Sequence, residues 1–162
     1  MIELIIGIFI FSLVVIFLFY KAGSIRSFRI LRERKGSWQL KIINHHRKRY
    51  GLQPLRTYYA LDRVARGHSR YMARHHSCNH NGFSQRAIKV QRITGSGFVG
   101  ENCYKYPTHG YSYNRRVAVK LVRGWMKSPE HRANLMNPNY TKLGIGIVIR
   151  DKYVYATQVF SR

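Results

Sequence analysis

Apolar residues along this chain recur first as an unbroken run, then at helical spacing, and at the end on alternate positions. Leu4 to Tyr20 carries no charge, and only Gly7 and Ser12 interrupt it as small residues. As a helix that run spans roughly 25 Å, near the lower limit for crossing a bilayer. Glu3 precedes it where a cleaved signal peptide carries Lys or Arg, and Ala22-Gly23-Ser24 is a weak exit site. We therefore expect residues 1–20 to form a single transmembrane signal anchor and residues 21–36 a basic juxtamembrane linker. Helical spacing begins after Ser37, a suitable N-cap, with Trp38, Ile42, Ile43 and His46 on one face up to Tyr50. Gly51 and then Pro54 close that helix. A second helix is predicted from about Tyr59 to His75. It carries Leu61, Val64, Ala65, His68, Met72 and His75 on one stripe, with Arg63, Arg66, Arg70 and Arg74 turned away. Ser77 to Gly100 reads as irregular, punctuated by Gly82, Gly95, Gly97 and Gly100. A third helix is predicted over Arg115 to Lys127, and Ser128-Pro129 opens a short fourth that ends near Met136. Period two then takes over in Leu143 to Ile149 and Tyr153 to Phe160, around a turn at Arg150-Asp151-Lys152. Helices first and a hairpin last predict an α+β domain over residues 37–162, with helices packed on an antiparallel sheet.

Charge changes the picture in two ways. The chain has 29 Lys and Arg against 6 Asp and Glu, a formal net charge of +23. Such a balance draws a protein to anionic partners (lipid, cell-wall polymer or acidic protein), and nucleic acid is a further possibility. The basic residues are scattered, and no aromatic-basic RNA motif or DNA-reading helix accompanies them, so a membrane-tethered nucleic-acid binder is the less favoured alternative. Second, Lys21, Arg26, Arg29, Arg32, Arg34 and Lys35 follow the apolar run, and by the positive-inside rule this flank stays in the cytoplasm. A long downstream domain is exported largely regardless of that rule.

With so few acids, each surviving carboxylate needs a reason. Glu3 and Glu33 lie outside the expected domain, Asp62 can open a helix, and Asp151 sits in the hairpin turn. Glu101, in Gly100-Glu101-Asn102, and Glu130, in Ser128-Pro129-Glu130-His131-Arg132, remain, both in segments near histidines.

Five pieces stand in order: Asn44, Arg47, Gly51-Leu52 and Pro54-Leu55; Asn79-His80; Gly100-Glu101-Asn102; Trp125 with Ser128 to Leu135; and Gly144-Ile145-Gly146 with Tyr155 to Phe160. Together they resemble the CAP superfamily of cysteine-rich secretory, antigen 5 and pathogenesis-related proteins (the SCP domain), in its prokaryotic-type branch. The resemblance implies an α-β-α sandwich with a central cleft, an extracytoplasmic location, and His80, Glu101 and His131 as cleft residues. Where many eukaryotic members carry a further histidine this chain has Tyr155, which with Gln158 completes the expected binding set. Two imidazoles and a carboxylate suit Zn²⁺ or another divalent cation. They suit equally a metal-free acid-base cluster or a structural polar network. The resemblance fixes no activity. A binding role is the first reading, and a metal-assisted, protease-like hydrolase with His80, Glu101 and His131 as candidate catalytic residues is the alternative.

Cys78 lies two residues before His80 and Cys103 two after Glu101. A Cys78–Cys103 disulfide is expected in an exported domain. A Cys/His zinc site or two free thiols are the other outcomes.

Overall fold

The computed structural model describes residues 29–31, 37–108 and 113–162. Its elements in chain order are β1 (Arg29–Leu31), α1 (Trp38–Arg49), β2 (Arg56–Thr57), α2 (Tyr59–Arg74) and α3 (Phe83–Thr94). They continue with β3 (Val99–Pro107), α4 (Arg115–Lys127), α5 (Pro129–Leu135), β4 (Lys142–Arg150) and β5 (Tyr153–Ser161). The expected anchor, residues 1–20, falls outside the described residues. Among those described, no helix is long and apolar enough to cross a membrane.

Strands β4 and β5 form the expected hairpin, with Asp151 in its turn at φ 55°. β5 then pairs antiparallel with β3, which is the sheet's outer strand in the order β1-β4-β5-β3. The other edge of β4 is covered at both ends: β2 runs parallel to Lys142 and Leu143, and β1 runs antiparallel to Ile147–Ile149. β1 lies ahead of the expected boundary at residue 37. A segment of the basic connector belongs to the sheet, where it satisfies backbone groups that a bare edge would leave unpaired. The parallel pairing of β2 makes the sheet mixed, where a purely antiparallel one was expected.

Alternation along the strands gives the sheet two unlike faces. One carries Leu143, Ile145, Ile147, Ile149, Val154, Ala156 and Phe160, packed with Ile43 of α1, Leu121, Val122 and Trp125 of α4 and Leu135 of α5. The other carries Gly144, Gly146, Val148, Tyr155, Thr157 and Val159, covered by α2. There a methyl group added at Gly144 or Gly146 would lie 2.3 Å from the backbone of Leu61 or Ala65, so only glycine lets the helix sit this close. Polar groups fit into this thin layer in pairs. Asp62 Oδ1 accepts from the Ile145 amide at 2.9 Å, and Ser69 Oγ donates to the Gly146 carbonyl at 2.9 Å and lies 2.8 Å from the Thr157 hydroxyl. Helices on both faces of one sheet make the α-β-α sandwich.

Helix ends follow the sequence closely. Ser37 Oγ accepts from the Leu40 amide, Asn114 Oδ1 from the Val117 amide, and Pro129 opens α5. Gly51 takes φ +68° after α1. Arg47, at the end of α1, is fully buried. Its guanidinium donates to the carbonyls of Gln53 (2.8 Å), Leu135 (2.8 Å), Asn137 (3.0 Å) and Tyr140 (3.2 Å), binding the loop after α1 to the loop before β4.

Candidate functional site

The site is built around two consecutive residues of β3 whose side chains leave opposite faces of the strand. Glu101 faces the α2/α3 layer and is 6% exposed. Arg86 of α3 holds both of its oxygens, Nε to Oε2 at 2.7 Å and Nη2 to Oε1 at 2.7 Å. His80, in the loop entering α3, sets Nδ1 2.9 Å from Oε1. Burial alone would raise the Glu101 carboxyl, but the bonds from Arg86 and His80 overcome it and hold the group below the ordinary carboxylate range. An ionised acceptor opposite Nδ1 places the proton on that nitrogen, so neutral His80 keeps its lone pair on Nε2. The His80 side chain is half exposed.

Two further groups lie against the same carboxylate. His68 Nε2 is 2.7 Å from the Asn79 carbonyl and 3.9 Å from Glu101 Oε1. Burial lowers its pKa, with the Asn79 bond and Glu101 acting the other way. Cys103 Sγ is 3.6 Å from Glu101 Oε1 and 3.7 Å from His80 Nδ1. Burial, then the Glu101 charge, push this thiol far up, so it is neutral and a poor nucleophile.

Asn102 faces the α4/α5 layer. Its amide donates to the His131 carbonyl at 3.1 Å and accepts from Asn134 at 2.9 Å, seating α5 against the strand. His131 Nδ1 is shielded from solvent and has no hydrogen-bond partner among the described residues. Burial lowers the His131 pKa, and the nearby His80 lowers it further, so the ring is neutral at pH 7. Because β3 is an edge strand, the two histidines flank that edge: His80 held from one face by Glu101, His131 from the other by Asn102.

A match to a known family runs along most of the chain. The family model described as CAP, the cysteine-rich secretory protein family, matches residues 40–160. The chain belongs to that family. Among curated proteins, this CAP domain is 28% identical over 112 residues to the uncharacterized protein YkwD of Bacillus subtilis (strain 168), covering 67% of this chain and 40% of that protein. It is 28% identical over 123 residues to the uncharacterized membrane protein YlbC of the same strain, covering 76% of this chain and 33% of that one. The chain thus spans well under half the length of either. Among solved structures, an extracellular protein containing a SCP domain from Bacillus anthracis str. Ames superposes with a TM-score of 0.59 at 29% identity, covering 76% of this chain and 39% of that one. An outer surface protein from Borrelia burgdorferi shares the fold at a TM-score of 0.64 and 19% identity, over 83% of this chain and 97% of that one.

Within the CAP domain, His80 and Glu101 are in contact and His131 lies near His80, while two other expected residues do not join them. Gln158 is fully buried on the opposite face from Glu101, with Nε2 bonded to Gln39 at 3.0 Å and Oε1 accepting from Asn102 at 3.3 Å. Tyr155 shares the face of Glu101 but is fully buried in a cluster with Met72, Ala73, Cys103 and Val148. Three positions apart on one strand, the two cannot line one wall. The expected disulfide is also corrected: Cys78 and Cys103 are both free thiols, Cys78 exposed and Cys103 buried under α2 with its sulfur turned to Glu101. Glu130 is exposed in the first turn of α5. Arg86 was missed; one arginine among 29 basic residues carries no mark in the sequence.

These contacts decide which residues fit a divalent ion. His68, Glu101 and Cys103 place ligand atoms within 4.8 Å of one another. That trio fits poorly, because His68 Nε2 donates to Asn79, the Cys103 thiol keeps its proton, and both Glu101 oxygens are taken by Arg86. His80 and His131 fit better. Each has a ring nitrogen without a hydrogen-bond partner among the described residues, and His80 has the carboxylate behind it that metal-ligating histidines commonly use.

Proposed function

We propose that this CAP domain is a membrane-anchored, extracytoplasmic binding module whose cleft, between His80 and His131, takes a divalent cation such as Zn²⁺ or a ligand coordinated through one. The observation that carries the reading is the unpartnered Nδ1 of His131 beside a histidine already oriented by Glu101. In this reading Glu101 is not a ligand. It fixes the His80 tautomer and leaves the Nε2 lone pair free, and Arg86 holds the carboxylate in place. A bound ion would supply Lewis-acid polarisation. His80 and His131 would orient whatever reaches it, and α3 would shield one side from water. The location accords with two similar proteins, one named a membrane protein and one an extracellular protein. The +23 charge would bring the domain to an anionic surface component such as lipid, wall polymer or acidic protein.

Equilibrium dialysis of the full chain against Zn²⁺, followed by metal analysis, tests this. We expect one equivalent in the wild type, loss in His80→Ala and in His131→Ala, and about 10- to 100-fold weaker binding in Glu101→Gln, the range for removal of an outer-shell partner. Undiminished binding in His131→Ala would remove the reading.

A further inference from the structure

A concavity lies between α2 and α3, with His68 and Arg86 of the site above in its lining. Its volume is about 450 Å³, within the range of small-molecule sites. Arg63, Val64, Gly67 and Tyr71 of α2 line one wall, and Arg86 and Lys89 of α3 line the other.

Three observations point to an occupant. Gly67 stands in the middle of a 16-residue helix, where glycine is among the poorest formers of that structure. No contact demands it: a methyl group there would meet nothing within 4 Å, and its φ is not positive. What the missing side chain provides is room in the cleft. Arg63 and Lys89 are exposed, one on each helix, and neither has an ion pair or hydrogen bond among the described residues. Arg86, by contrast, is spent: Nε and Nη2 go to Glu101, Nη1 to the Asn81 carbonyl at 2.7 Å, and Nη2 also to the His80 carbonyl. It closes the wall of the cleft and leaves two uncompensated cations at its mouth. An arginine fork facing a lysine across a space of this size matches a compact dianion with tetrahedral oxygens better than a single carboxylate.

We propose that the α2–α3 cleft binds a phosphate monoester group, held between Arg63 and Lys89 with Gly67 leaving the space for it. The site does not depend on metal in the His80/His131 cleft.

The test uses the full chain in nonionic detergent with EDTA present, titrated calorimetrically with glycerol 3-phosphate and, separately, with dihexanoyl phosphatidic acid. Binding of both marks the phosphate ester itself as the determinant; binding of only the second marks a lipid source, and either supports the site. Arg63→Glu with Lys89→Glu should weaken binding at least about tenfold, since charge-assisted bonds to phosphate are lost. Gly67→Leu should weaken it comparably while leaving the melting temperature unchanged or higher, because helix propensity improves. The control is Arg116→Glu with Arg123→Glu, two exposed residues of α4 that alter the net charge by the same amount. Failure of both probes to bind, full affinity in Gly67→Leu, or equal loss in the α4 control overturns the proposal.

Discussion

The two faces of the sheet are built on different principles. Toward α1, α4 and α5 the strands send out large apolar side chains, and Trp125, Leu121, Phe160 and the β4 isoleucines form a thick core. Under Leu61 and Ala65 of α2 the strands send out glycines, with Val148 and Tyr155 farther along under Met72, and the helix comes close enough to exchange hydrogen bonds through Asp62 and Ser69. The thick face contributes most of the buried apolar area, and so most of the drive to fold. The thin face fixes position. It seats α2, and with it His68, against Glu101 with little room for slack. The proposed binding site therefore sits beside the layer that tolerates least change, not beside the one that stores most stability.

Adding a single methyl to the thin face should cost more than deleting an indole from the thick one. Gly146→Ala places its methyl 2.3 Å from the Ala65 backbone, and we expect a loss on the order of 5 kcal/mol, the range in which single substitutions become exceptional. Trp125→Ala should cost about 4 kcal/mol by the cavity it leaves. Urea denaturation of both variants settles the order. A Gly146→Ala protein within about 1 kcal/mol of wild type would mean that α2 rides outward freely, and the contrast drawn above would fail.

A smaller effect sharpens the same contrast through pH. Burial holds His68, on the thin face, and His131, beside the edge strand, below their ordinary values. The unfolded chain then binds more protons than the folded one below about pH 6.5, so stability is complete above that pH and declines as pH falls toward the folded values. Thermal melts between pH 7.5 and 5.5 should show that decline, on the acid side of roughly 6.5. His68→Gln, which keeps a donor for the Asn79 carbonyl, should flatten it. An unchanged slope would mean that His68 is not the group responsible.

Legibility followed the same division. The thick face was plain in sequence: α4 starts and stops at Arg115 and Lys127 as its apolar stripe predicts, and β4 and β5 alternate. The elements missed were β1, β2, α3 and β3. α3 lies between two glycines at φ +74°, Gly82 and Gly95, and buries few apolar residues, chiefly Val90, so it read as a loop. β3 is buried on both faces around Glu101 and Asn102, and a strand with polar residues on both faces shows no period-two signal. Glu101 was visible through scarcity, since a carboxylate in so basic a chain stands out. Its partner Arg86 was hidden by the same bias. Gln158 and Tyr155 were grouped by motif where strand alternation would have separated them.

Arg47 gives the fold a cation that cannot be washed out. Loops in many exported proteins are organised by calcium gathered among carbonyl oxygens; here a guanidinium stands at that point, ringed by the carbonyls of Gln53, Leu135, Asn137 and Tyr140 and covalently tethered to α1. The segment that leads from α5 into β4 is thus ordered without drawing on ions from the surroundings. Chelators should leave this knot tied, so the domain would keep its shape whether or not the proposed His80/His131 site holds an ion.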